Sequence, residues 1–395
     1  MDHQDHWSDL CRWIVSVLAK EHGQTPLISQ KVPMLDALGH MSSIIRLHLA
    51  WPSKADGLPA SVVLKIPTPL TMDKTFESME DDESPKNCNA KVDENVNNIF
   101  LEMMHEVEAE TYAELQKERP EGLRIPHYYG YLPFSSSTPC ILMEDVHPGK
   151  VYDLVSGFDD AQLYKIVDQL VALHVFCFTH DGWDKIGVAM TGENPAYQEF
   201  MLMMEMLNKN LICEYPALKP GLTLLQENLL KNYSWHRDHI YRYRNPAALR
   251  TFVHGDLWTA NIIWRNGDIA AIIDWTLCRP GALTEDLQRM LAACCTVERR
   301  QRMTKPLVEY YYDQVKTKME GKSMPMPFTF ADLQDDYNST LPFICGQTMF
   351  SVAFWLRTNV VRKGGKNDSA RVDEMIKRLH SFVDETVQSQ KWIAT

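Results

Sequence analysis

Apolar positions change their rhythm partway along the chain: short runs mixed with helical spacing before Met143, and helical spacing nearly throughout after it. The first part predicts a short helix around Leu10–Lys20 and two strand-like stretches, Ile44–Trp51 and Ser61–Ile66. Ala37–Ser43 lies between these elements with Gly39 as its turn residue. A polar insertion, Thr71–Asn98, carries five acids between Glu77 and Glu83 and reads as a mobile surface loop. From Ile99 the spacing of Phe100, Met103, Met104, Val107, Thr111 and Leu115 is helical and ends before Pro120. Tyr128–Leu132 and Cys140–Met143 follow as apolar segments.

After a turn-rich crossover, Asp159–His180 carries Leu163, Ile166, Val167, Leu170, Leu173, His174 and Cys177 along one face. His174 there reads as a core histidine. Further helical stretches are Asn194–Asn208, Leu222–Arg244, Thr284–Val297, Thr304–Lys318, Gln347–Arg362 and Asp368–Val387. A strand-rich insert of Thr251–Val253, Asn261–Trp264 and Ile269–Ile273 interrupts them, turned by Asn266-Gly267. The expectation is an α+β chain in two lobes with a cleft between them. Residues 1–143 form a small mixed N-lobe, 144–147 a hinge, and 148–395 a larger, mostly helical C-lobe.

Composition narrows the function classes. The 395 residues are 45% hydrophobic and 23% charged, ordinary for a globular chain. With 40 basic against 52 acidic residues the net charge is −12, which argues against nucleic acid and against an anionic membrane surface. Nine cysteines form no CxxC pair and suit no zinc site, so they read as free thiols. Acids stand where a signal peptide has cations, and no stretch reaches the roughly 20 apolar residues of a membrane span. The expected location is cytoplasmic.

The chemistry concentrates in Val253-His254-Gly255-Asp256-Leu257-Trp258-Thr259-Ala260-Asn261-Ile262-Ile263-Trp264, continuing to Ile272-Ile273-Asp274-Trp275. Phosphoryl transfer from a nucleotide needs a carboxylate for the acceptor's hydroxyl proton, and an amide oxygen and a second carboxylate for Mg²⁺. Oxygen donors of this kind suit Mg²⁺, and H-x-D-x-x-x-x-N followed by a strand-end Asp is the layout of kinase catalytic loops. A lone loop Asp is usually a turn or cap residue; three polar residues at this spacing between apolar strands are not.

HGDLWTANIIW followed by IIDWT resembles the aminoglycoside phosphotransferase and choline kinase superfamily, and more narrowly its ecdysteroid-kinase-like, or CHK-kinase-like, members. The resemblance covers most of the chain from Ala37. It implies a protein-kinase-like fold and ATP-dependent phosphorylation of a small-molecule hydroxyl, with ATP and Mg²⁺ as cofactors. On that pattern Asp256 is the catalytic base, and Asn261 and Asp274 are Mg²⁺ ligands. Lys65 of SVVLKIP contacts the α- and β-phosphates, and Glu108, four before Tyr112, is its ion-pair partner. Glu106 and Glu110, spaced by two on either side, leave that last choice open. Met143, Glu144 and Val146 lie in a hinge whose backbone meets adenine. Asp286 after Gly281 braces the catalytic loop, as does His254, which could otherwise be taken for a general base. The phosphate loop is the departure from the pattern: Gly39 to Ser43 offers one glycine, leaving Ser42, Ser43 and backbone amides.

Trp258, two past the base, is a candidate wall of the acceptor pocket. The methionine-rich run Phe200–Met206 and Phe350, Phe354 and Trp355 read as helix packing, with a pocket lining as the alternative. A protein kinase would carry Arg before the Asp, DFG and APE; here Gly255 precedes Asp256, and Asp286 follows only twelve positions after Asp274. That leaves little room to dock a peptide, so the expected acceptor is a bulky hydroxylated metabolite such as a steroid or glycoside, or a choline-like alcohol. A catalytically silent, nucleotide-binding pseudokinase or scaffold is the alternative.

Overall fold

The structure is a computed structural model, and residues 3–34, 41–53, 56–68, 94–187, 206–225, 227 and 234–389 are described. They fall into two compact units: Met1–Arg119 with Ile125–Gly149 and Ala271–Thr276, and Pro120–Arg124 with Lys150–Ala270 and Leu277–Thr395. The chain therefore crosses after Gly149, and the segment holding Asp274 returns to the first unit.

The first unit consists of α1 (His3–His22), β1 (Leu27–Pro33), β2 (Ser42–Ala50), β3 (Ser61–Pro67), α2 (Glu94–Lys117), β4 (Tyr128–Leu132) and β5 (Cys140–Glu144). Its five strands form one antiparallel sheet in the order β1-β2-β3-β5-β4. Leu10, Ile14 and Leu18, four apart on α1, pack on Leu47 and Leu49 of β2, Val62 and Leu64 of β3, and Cys140 and Leu142 of β5. Because side chains alternate along a strand, the pattern that gives Val62 and Leu64 to this core turns Lys65 to the opposite face. β1 was not anticipated from the sequence. It is an edge strand that stays largely exposed, so it lacks the apolar alternation that marks a half-buried one.

The second unit opens with α3 (Asp160–Thr179), started by a capping box in which Asp159 and Gln162 exchange hydrogen bonds. All seven residues expected on its inner face are buried. Residues 206–214 are helical, followed by α4 (Lys219–Leu225) and α5 (Ser234–Arg242). The strand-rich insert comprises β6 (Thr251–Val253), β7 (Ile262–Arg265), β8 (Asp268–Ile272) and β9 (Arg279–Gly281). Asn266 and Gly267, both at positive φ, make the two-residue turn between β7 and β8. The chain ends in α6 (Glu285–Cys294), α7 (Val297–Gly321), α8 (Phe330–Trp355) and α9 (Asp368–Ser389).

Several boundaries differ from expectation. The stretch 222–244 holds parts of two helices, α4 and α5, and residues 226 and 228–233 lie outside the described set. α8 starts at Phe330 on a Thr329–Asp332 capping box and runs through Pro342, which reads as a breaker in the sequence. Ser351, Phe354 and Trp355 are buried on this helix. The acidic stretch 71–93, Gly39 with His40, and Met201, Met203 and Met204 also lie outside the described residues. Among those described, no helix is long and apolar enough to cross a membrane.

Candidate active site

Lys65 sits in the interior strand β3, between Ile44 of β2 and Ile141 of β5. Its Nζ donates to Glu108 Oε2 and to Asp274 Oδ1, each at 2.6 Å. The open choice among three glutamates is settled by geometry. Glu108 faces inward on α2 and is buried. Glu106 instead accepts from the Phe134 N–H at 2.9 Å, and Glu110 points to solvent. Residues two apart on a helix cannot share a face.

One ammonium thus serves two carboxylates. Burial pulls Lys65 down, but Asp274 and Glu108 outweigh it and hold the ammonium above its ordinary range. Burial pushes Glu108 up to about 7, against the pull of Lys65. Asp274 is the more open carboxylate, with its side chain 31% exposed. Its backbone is left-handed at φ 67°, a conformation Asp tolerates better than most residues. The Asp274 N–H donates to Tyr112 Oη at 3.3 Å, and Thr276 Oγ1 donates to Asp274 Oδ1 at 3.3 Å.

The expected hinge is fastened by Asp145, which lies within it and to which sequence reasoning assigned no separate role. Asp145 accepts from Arg46 Nε at 2.6 Å, Arg46 Nη2 at 3.0 Å and Ser61 Oγ at 2.5 Å, tying the end of β5 to β2 and β3. Glu144 exchanges with His127, accepting its N–H at 3.0 Å and donating its own to the His127 carbonyl at 2.8 Å. Met143 is buried in β5, and Val146 is partly exposed. Ser42 and Ser43 are the first residues of β2, opposite Pro67 and Ile66.

In the second unit, β6 delivers His254, Gly255 and Asp256 into a loop that closes with a short helical turn, Thr259–Asn261, before β7. The loop is held by its backbone. Asp286, in the first turn of α6, accepts the His254 N–H at 2.7 Å and the Gly255 N–H at 2.9 Å. Burial pushes Asp286 up to about 6, opposed by His254 and these two bonds. Gly255 has φ 80°, and a Cβ there would lie 2.4 Å from the Leu277 carbonyl oxygen, so only glycine fits. His254 is buried and its Nδ1 accepts the Asp256 N–H at 3.3 Å.

Asn261 Nδ2 donates to the Asp256 carbonyl at 2.9 Å and lies 3.5 Å from Asp256 Oδ2. Only the NH₂ can donate to a carbonyl, so the amide's oxygen is left on the other side. An amide oxygen and a carboxylate are the kinds of hard donor that Mg²⁺ takes, which is the chemistry expected of Asn261 and of Asp274. Among the described residues no group of three or more His, Cys, Asp or Glu could hold a metal ion by itself.

Trp258 is buried, its ring 4.8 Å from that of Trp355 at 32°, so at least one of its faces is covered by α8. Arg289, which the sequence reading passed over, also meets this loop. Its Nη2 donates to Asp256 Oδ1 at 2.9 Å and to Ser351 Oγ at 2.6 Å, and its guanidinium lies 5.2 Å from the Trp355 ring. The signal was present: Arg289 stands three after Asp286, on the same face of a helix that touches the loop.

A family model described as "Uncharacterized oxidoreductase dhs-27", DUF1679, matches residues 28–388. The chain belongs to the DUF1679 family. Two relatives are from Caenorhabditis elegans. One is an uncharacterized kinase-like protein, D1044.1, 24% identical over 74% of this chain and 78% of its own. The other is dhs-27 itself, 23% identical over 78% of this chain but only 37% of its own length. The chain therefore spans little more than a third of the protein that carries the oxidoreductase name. Solved structures with similarity include an ethanolamine kinase of Plasmodium vivax, at 12% identity, 91% and 83% coverage and a TM-score of 0.45. A gentamicin–APH(2″)-IIa complex matches at 14% identity, 97% and 98% coverage and a TM-score of 0.44. This DUF1679 chain is a mixed α+β protein.

Proposed function

We propose that the protein is an ATP-dependent phosphotransferase that moves the γ-phosphate to a hydroxyl of a small molecule. The observation that carries this reading is Lys65 bonded at once to Glu108 and Asp274, the charge arrangement that a kinase uses on nucleotide phosphates. The loop in which Asn261 is fastened to Asp256 supports it. No two of the 18 glycines are spaced G-x-G, so the dinucleotide fingerprint of many oxidoreductases is missing from this chain.

On this reading Lys65 holds the α- and β-phosphates and Glu108 keeps its ammonium aimed. Asn261 and Asp274 would hold Mg²⁺, which supplies neutralisation of the phosphate charge. Asp256 accepts the acceptor hydroxyl's proton as the oxygen–γ-phosphorus bond forms and the bond from γ-phosphorus to the β-bridging oxygen breaks, releasing ADP. Catalysis is then positioning and charge stabilisation rather than covalent chemistry.

The test is incubation with Mg-ATP and an extract of small hydroxylated metabolites, reading products heavier by one phosphate by mass spectrometry. A product formed by the wild type and lost in Asp256→Ala, at a fall of roughly a thousandfold or more with Mg-ATP binding kept, is the expected result. Asp274→Asn should instead weaken Mg-ATP binding. Full turnover in both variants would overturn the assignment. ATP binding with no product from any extract would favour the silent pseudokinase.

A further inference from the structure

Arg289 combines three properties that a purely structural arginine need not have. It is buried, 3% exposed, and its Nη2 holds Asp256, whose side chain is 27% exposed. Its Nε and Nη1 are buried without any hydrogen-bond partner. Its guanidinium lies against Trp355, which is paired with Trp258 two residues beyond the base. On the same face of α8, a turn before Ser351, Thr348 Oγ1 is also buried and unpartnered. Native proteins pair nearly all such groups, so a cluster of them beside a reactive carboxylate is what a polar ligand would complete.

The sign of the charge is decisive. An acceptor whose hydroxyl lies on Asp256 is brought next to a fixed guanidinium in a poorly solvated site. An ammonium group beside that hydroxyl would be repelled, whereas a hydroxyl, carbonyl or carboxylate oxygen there would find donors. Resting on the phosphotransferase reading above, we infer that Arg289 sets acceptor specificity: it selects neutral or anionic alcohols with an oxygen next to the reacting hydroxyl and rejects ammonium alcohols. The choline-like alternative drops out. Arg289 also positions the base, with Ser351 holding the guanidinium from behind.

The experiment splits a metabolite extract on a cation exchanger into a retained, ammonium-bearing fraction and a neutral-and-anionic flow-through. Each is incubated with Mg-ATP and wild type, Arg289→Gln or Arg289→Lys, and phosphorylated products are identified by mass spectrometry. Wild type should form product from the flow-through, with discrimination against ammonium alcohols of roughly a hundredfold. Arg289→Gln should raise the KM of the identified acceptor at least about tenfold, leave the KM of ATP unchanged and narrow the discrimination, while Arg289→Lys retains the preference. Product from the retained fraction alone overturns this inference and leaves the kinase reading standing. So does an Arg289→Gln variant that loses only kcat or thermal stability at unchanged acceptor KM. Product from neither fraction overturns the kinase reading, and this inference with it.

Discussion

The two halves of the chemistry are held in different ways. In the first unit, position is a matter of charge balance: one ammonium, Lys65, lies between two carboxylates in a site where Lys65 and Glu108 have little water. In the second unit, the loop carrying Asp256 is held by backbone geometry, with two N–H groups on Asp286, an amide on the Asp256 carbonyl and a glycine that admits no side chain. A buried charge set fails when one partner is removed, because the others are left uncompensated. A backbone-held loop tolerates charge changes and fails when the main chain is moved. Lys65 is thus placed by electrostatics, and the loop carrying Asp256 mainly by the steric fit of its main chain.

That contrast can be broken by substitution. Lys65→Met strands Glu108 beside Asp274 and should cost about 3–5 kcal/mol in the first unit, measured by urea unfolding. A loss below 1 kcal/mol would mean that the triad carries no net dependence on its charge. Gly255→Ala, a smaller change chemically, forces a Cβ against the Leu277 carbonyl at positive φ and should cost about 2–4 kcal/mol. An alanine variant as stable as wild type would show that the loop is not held by its backbone.

The smallest effect concerns pH and lies away from either site. His174 on α3 is buried against Tyr311, 2.7 Å from Nδ1 to Oη, and burial lowers it to about 3. Since the unfolded imidazole titrates near 6.5, the unfolded state binds the extra proton between these values. Its contribution is therefore fully present above about pH 6.5 and is lost as pH falls toward 3. Stability should decline by up to about 1.4 kcal/mol per pH unit from this group, and His174→Phe should flatten the slope. Parallel slopes for the two proteins in urea titrations at several pH values would sink the prediction.

Legibility in the sequence followed how local each signal was. Asp256, Asn261 and Asp274 stand out as candidates because their spacing is itself the signal, and Val62 and Leu64 could be read as core because strand alternation writes the core face directly. β1 was missed because an exposed edge strand carries no such alternation, and the first half of α8 because Pro342 masks a helix that its Thr329 cap and surrounding packing sustain. Three acids spaced by two on α2 are equivalent as text; only the direction of the helix face separates Glu108 from its neighbours.

Local pattern, then, determined the strands and helices that carry the motif, the face of β3 given to Lys65, and the residue types that phosphoryl transfer requires. Tertiary structure alone decided that Glu108 meets Lys65, that Asp145 fastens the end of β5, and that Arg289 lies on Asp256. Each of these joins residues far apart in the chain, and such pairings are fixed by packing and by the cost of leaving a buried charge unpaired, neither of which is encoded in the spacing of neighbours along a sequence.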